Sequence, residues 1–93
     1  MSDDVIDATL ASLRPTYLAR RREELPTLVD AIATGDLDVG ARMAHKIAGS
    51  GATYGFAELT ALAKDLEAAC LEKRGDDARA IGRALAAHVD TLS

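Results

Sequence analysis

The stretch Ala44-His45-Lys46-Ile47-Ala48-Gly49-Ser50-Gly51-Ala52-Thr53-Tyr54-Gly55-Phe56 decides how this chain folds. It reads as the second half of an amphipathic helix, a glycine stop and the start of the next helix. At about 100° per residue, Val39, Met43 and Ile47 share one apolar stripe, continued by Tyr54, and a stripe of that kind faces a core. His45 lies about 200° from Met43 and Ile47 on the same wheel, so it points to water. Its neighbours one turn away are Ala41, Arg42, Ala48 and Gly49. A glycine inside a helix costs about 1 kcal/mol relative to alanine, so neither Gly49 nor Gly51 serves helix stability. Gly51 lies nearer the core side, where close helix packing explains it. Gly49 shares the His45 face, and a bare patch around an outward imidazole suits a macromolecule that must approach the ring.

Working outward, Gly35 ends the preceding segment and Asp36 is placed to cap a helix over about residues 37–53. After Gly55, Phe56, Leu59, Leu62, Ala63, Leu66 and Cys70 recur at three and four, the mark of a buried helix face. Lys73, Arg74 and Gly75 read as a basic last turn and a stop. Asp76 then caps a helix with the stripe Ala78, Ile81, Leu85, Val89 and Leu92. Towards the N terminus, Ser2 or Asp3 caps a short helix with Val5, Ile6, Leu10 and Leu13 on its apolar edge. Arg14-Pro15 is expected to break it, because proline disfavours helical geometry in the residue before it, and Pro15 suits the first turn of a second helix. Leu18, Leu25, Leu28, Val29 and Ile32 give that helix its core stripe, in phase across Pro26, which is expected to kink it rather than split it. Short loops imply antiparallel neighbours. The expectation is an all-α protein: an up-down antiparallel four-helix bundle over residues 15–92, with a short extra N-terminal helix packed across one end.

Composition bounds the rest. The 93 residues suit a single domain, residues 1–93, with a modest core, rich in Ala and Leu and holding only two Tyr and one Phe. Eleven basic against fifteen acidic residues give a net charge of −4, a poor match for nucleic acid, whose phosphates demand a basic face. The run Arg20-Arg21-Arg22 is followed at once by Glu23-Glu24 and reads as a solvated helix face. Cys70 is the sole cysteine, which excludes a disulfide framework and a Cys-His metal spacing, and it reads as a small buried hydrophobe. Met43 and His45 point to opposite sides, so one haem iron cannot take both. His88 sits at the margin of its stripe as a packing residue. The opening Met1-Ser2-Asp3-Asp4 lacks the regions of a signal peptide, no apolar run is long enough to span a membrane, and a complete cytoplasmic protein is expected.

The central stretch resembles the signature of histidine-containing phosphotransfer (HPt) domains, roughly Ala-His-x-Leu/Ile-Lys-Gly-Ser/Ala, a run of small residues, then Gly, an apolar residue and x-x-Leu. Ala44, His45, Ile47, Gly49, Ser50, Gly55, Phe56 and Leu59 match it in order and spacing. Leu66-Glu67 is similar to the family's Leu-Glu on the following helix, and Gly35-Asp36 to its turn before the histidine helix. The likeness extends over about residues 4–90. One position departs from the pattern: Ala48 stands where the family usually carries lysine.

The resemblance implies a phosphoryl carrier of a bacterial-type two-component phosphorelay, without autonomous kinase activity. His45 accepts the group from a receiver-domain aspartate and passes it to another receiver. A neutral imidazole is a competent nucleophile near neutral pH, and phosphoryl transfer is mostly positioning and charge neutralisation. In the family the receiver brings Mg2+, and no cofactor belongs to the chain itself. Glu67 matches the position that accepts a hydrogen bond from Nδ1. Arg42, Lys46 and Lys64 are the cations in reach by spacing, and either Lys64 or Lys46 substitutes for the lysine absent at Ala48, or transfer is slower or partner choice altered. The implied docking surface is Ala41, Ala48, Gly49 and Ala52 around His45. The implied partners are response-regulator receiver domains, with a hybrid histidine kinase as a further candidate, and the implied state is a monomer. The alternative, which the missing lysine favours, is a helical adaptor that binds a receiver or sensor kinase without being phosphorylated. A nucleic-acid-binding bundle using Arg20–Arg22 is a weaker third reading.

Overall fold

A computed structural model describes residues 3–92, with side chains described from residue 8 onwards. Among the described residues there are four helices and no strand: α1 (Asp3–Ala33), α2 (Leu37–Thr53), α3 (Ala57–Leu71) and α4 (Gly75–Thr91). One turn design joins them three times. Gly35, Gly55 and Lys73 each adopt positive φ, at 86°, 82° and 59°. In each case the next residue's N–H reaches five residues back, Asp36 to Ala31 O, Phe56 to Gly51 O and Arg74 to Ala69 O. This is the Schellman arrangement, which satisfies the last carbonyls of a helix. Gly35 and Gly55 stand where glycine stops were expected. At the third turn the left-handed residue is Lys73, and Gly75 opens α4 instead of ending α3. Asp36 caps α2 by accepting from Val39 N at 3.4 Å, whereas Arg74, not Asp76, is the residue before α4.

The separate short N-terminal helix is not present. α1 runs unbroken through both Pro15 and Pro26. Each proline removes the N–H that would bond the carbonyl four residues earlier, and both prolines lie on the exposed side of the helix. Contacts on either side of each proline hold the helix in register. Arg14 Nε donates to Tyr54 O at 2.8 Å and Tyr17 is buried, and Leu25 and Leu28 are buried around Pro26. The expected cap at Ser2 and the side chains of Val5 and Ile6 lie outside the described residues. Leu10 is half-buried and Leu13 exposed.

The core is built from Tyr17, Leu18, Leu25, Leu28 and Ile32 of α1, Ile47 of α2, Leu59, Leu66 and Cys70 of α3, and Leu85 and Val89 of α4, with buried alanines between them. α2 packs most extensively on α3, and α1 and α4 close the other side. Small residues make the α2–α3 approach close. The buried face of α2 is Gly40, Ala41, Ala44, Ile47, Ala48 and Gly51, whereas Val39, Met43 and Tyr54 of the expected stripe are only half-buried. A Cβ on Gly51 would stand 2.8 Å from Thr60 Oγ1, and one on Gly40 would stand 3.0 Å from both Cys70 Sγ and Ile32 Cγ1. The pairs Asp38 with Lys73, His45 with Glu67 and Gly51 with Thr60 run in opposite order along α2 and α3.

Candidate functional site

His45 projects from the middle of α2 with its side chain 74% exposed. Its Nδ1 lies 2.9 Å from Oε2 of Glu67 on α3, itself only 26% exposed. A carboxylate only accepts, so Nδ1 carries the hydrogen in this contact and the neutral ring keeps its lone pair on Nε2. The pair forms because α2 and α3 approach closely: with Ala41, Ala44 and Ala48 against α3, a carboxylate one helix away reaches the imidazole.

Ala41, Arg42, His45, Lys46, Glu67 and Leu71 line one shallow depression of about 250 Å³ beside the ring. Arg42 and Lys46 are exposed, and Lys64 is exposed further along α3. The register of the two helices puts Lys64 at the level of Ala48, and Lys64 is not among the residues lining the depression. Among the described residues, the side chains of Arg42, Lys46 and Lys64 take part in no ion pair.

The expected docking surface divides in two. Gly49 and Ala52 are exposed, and a Cβ on Gly49 would meet nothing within 4 Å. Ala41 and Ala48 are each only 6% exposed. Their small side chains serve the fit to α3, which a helical wheel of α2 alone does not reveal. Leu71 was not singled out from sequence. It follows Cys70 and falls off the buried stripe of α3, and a leucine off the stripe is the signal that points to it.

The other side of α2 is tied to α1. Ser50 Oγ lies 2.8 Å from Tyr17 OH, receives Arg21 Nη1 at 3.3 Å and reaches Lys46 O at 3.0 Å. Tyr17 stacks on Tyr54 and Phe56, with ring centroids 4.4 and 5.8 Å away. Arg14 lies over Phe56 and Arg21 over Tyr17. Ser50, with Tyr54 and Phe56 just beyond the end of α2, thus ties α2 to α1 on the side away from His45. The arginine run is dispersed: Arg20 is exposed, Arg21 serves Ser50 and Glu24, and Arg22 donates to Val89 O and Leu92 O at the end of α4. Arg20 and Arg21 line one depression with Tyr17 and Ser50, while Arg22 is turned to the end of α4.

Among the described residues no grouping of His, Cys, Asp and Glu is suited to hold a metal ion, and no helix is long and apolar enough to cross a membrane. Cys70 is buried, and burial pushes its thiol pKa up despite the opposing charge of Lys73. His88 is half-buried with Nδ1 3.6 Å from Glu58 Oε2.

The sequence model of the Hpt domain matches residues 12–93, and the chain belongs to that family. Comparison with curated proteins and with solved structures finds no match. Hpt domains carry phosphoryl groups on histidine in phosphorelays, act as phosphocarriers rather than enzymes, and interact with receiver domains.

Proposed function

We propose that His45 is the phosphorylated residue, and that the chain accepts a phosphoryl group from a receiver-domain aspartate and hands it to a second receiver in a bacterial-type two-component phosphorelay. The observation that carries this reading is the pairing of an exposed imidazole with a carboxylate on Nδ1. The Nε2 lone pair attacks phosphorus in line, the bond from phosphorus to the aspartyl oxygen breaks, and the carboxylate leaves with its electron pair. The product ring is cationic, its hydrogen held on Nδ1 against Glu67. Glu67 orients the nucleophile and stabilises the charge that develops. Lys64, Lys46 and Arg42 supply positive charge for the phosphoryl oxygens, and Lys64 stands in for the lysine absent at Ala48.

Gly49 and Ala52 give the receiver a clear approach. The catalytic Mg2+ belongs to the receiver, and the chain has no kinase activity of its own. A single cytoplasmic domain over residues 1–93, monomeric and folded as an up-down antiparallel bundle, fits this role; the opposite order of the contacts along α2 and α3 supports that topology. A hybrid histidine kinase is a natural upstream partner.

Incubation with a phosphorylated receiver tests the reading against the adaptor alternative. Label is expected on the wild type and absent from His45→Gln, with receiver binding retained in both. Equal labelling of the two would overturn it, and binding without label on the wild type would favour the adaptor.

A further inference from the structure

Leu71 is 63% exposed, and with Leu13 it is one of two large apolar side chains presented by the described surface. It stands about 100° round α3 from Cys70 and the buried stripe, so the core makes no use of it. It lies one turn beyond Glu67 and lines the same depression as His45, with buried Ala41 below. Arg42 and Lys46 flank that depression with no ion-pair partner among the described residues. An exposed leucine alone is ordinary; one beside a reactive side chain, over a small-residue floor and between unpaired cations, has the makeup of an interface anchor.

We propose that Leu71 is a specificity-determining docking contact for the receiver domain: an apolar receiver side chain flanked by carboxylates seats between Leu71 and His45. The inference rests on the reading of His45 as the phosphoryl acceptor. The depression is continuous with the ring, so a partner that delivers phosphorus to Nε2 covers Leu71 in the same encounter. Arg42 and Lys46 call for carboxylates opposite them, which complement both cations and set the orientation of docking. A second copy of this chain is a poor occupant, because a two-fold contact through this patch would bring the same cations face to face.

The test compares wild type, Leu71→Asp and Leu71→Ala with a radiolabelled phospho-receiver that labels the wild type. Labelling by phosphoramidate, a small donor that needs no docking, is the reference. Position 71 is exposed, and thermal melting checks that each variant is folded; Leu71→Ala keeps the test open should the aspartate variant fail to fold. The KM for phospho-receiver is expected to rise about tenfold in Leu71→Asp and by less in Leu71→Ala, with kcat close to wild type. A wild-type KM in a folded variant overturns the inference and leaves His45 untouched. So does equal loss of labelling from both donors, or a wild-type dimer in sedimentation that Leu71→Asp dissolves. Label on the wild type that maps to a residue other than His45 removes the reading of His45, and this inference with it.

Discussion

Glu67 Oε2 sits 2.9 Å from Nδ1 of His45, across the most extensive helix contact in the bundle. In the proposed transfer, this carboxylate fixes which ring nitrogen faces the incoming phosphoryl group. Glu67→Ala therefore frees the tautomer and removes the acceptor for the cationic product. The imidazole is 74% exposed, so water replaces much of the interaction, and a loss of about 1 kcal/mol, roughly a fivefold slower transfer, is expected. Nitrogen NMR of the wild-type ring should show the Nδ1–H tautomer dominant, and Glu67→Ala should shift it towards a mixture. An unchanged tautomer ratio and transfer rate would remove Glu67 from the account.

Gly49 and Gly51 are two residues apart and should respond in opposite ways. A methyl group at 49 meets open space, so Gly49→Ala is expected to stabilise the fold by about 1 kcal/mol while lowering receiver-dependent transfer. A methyl group at 51 meets Thr60 Oγ1 at 2.8 Å, and Gly51→Ala is expected to destabilise by about 1–3 kcal/mol. Urea unfolding of the two variants measures both. A destabilised Gly49→Ala would mean that Gly49 serves the fold and not the approach.

Lys73 holds φ at 59°, where the equivalent residues of the other two turns are glycine. A side chain there costs about 1–2 kcal/mol, part of which glycine returns through its greater chain entropy. The ion pair from Lys73 to Asp38 is exposed and worth little. Lys73→Gly is expected to raise stability by about 0.5–1 kcal/mol, read as an upward shift in the urea midpoint at unchanged slope.

Cys70 should be inert in the native state. Its thiol pKa is raised above the usual 9.0 by burial, so the native fold keeps the proton to higher pH than the unfolded chain does. The sign follows from proton linkage: this contribution to stability is fully present below about pH 9 and is lost as pH rises above it. Unfolding curves between neutral and alkaline pH should show that decline, and Cys70→Ala should flatten it. Alkylation by iodoacetamide should be slow in buffer and fast in denaturant. Rapid native alkylation would contradict the burial.

Where the chain states its structure locally, the sequence was legible. Asp36 before an apolar run, and Gly35 and Gly55 after one, placed α2 to the residue, and the spacing of Leu59, Ala63, Leu66 and Cys70 found the core face of α3. Three features depended on partners that a single helix cannot display. Pro15 reads as a break, yet its exposed side and the grip of Arg14 and Tyr17 keep α1 continuous. The alanines around His45 read as a bare outer patch, but Ala41 and Ala48 are spent on the close approach to α3, since a small residue carries no hydrophobic signature of its own. Leu71 is legible as a leucine off the buried stripe of α3, but its place beside His45 depends on how α2 and α3 pack, which neither helix displays alone. The outward position of His45 was legible from the helical wheel of α2; its carboxylate partner followed from the family resemblance and not from spacing.

The most direct test is the chemistry of the transferred group. Wild type and His45→Gln are incubated with a radiolabelled phospho-receiver, and the label on each chain is tested for acid lability, base stability and position by peptide mapping. The account predicts acid-labile, base-stable label on the wild type alone, confined to the peptide holding His45. Label on His45→Gln, or label on the wild type at any other residue, would contradict it.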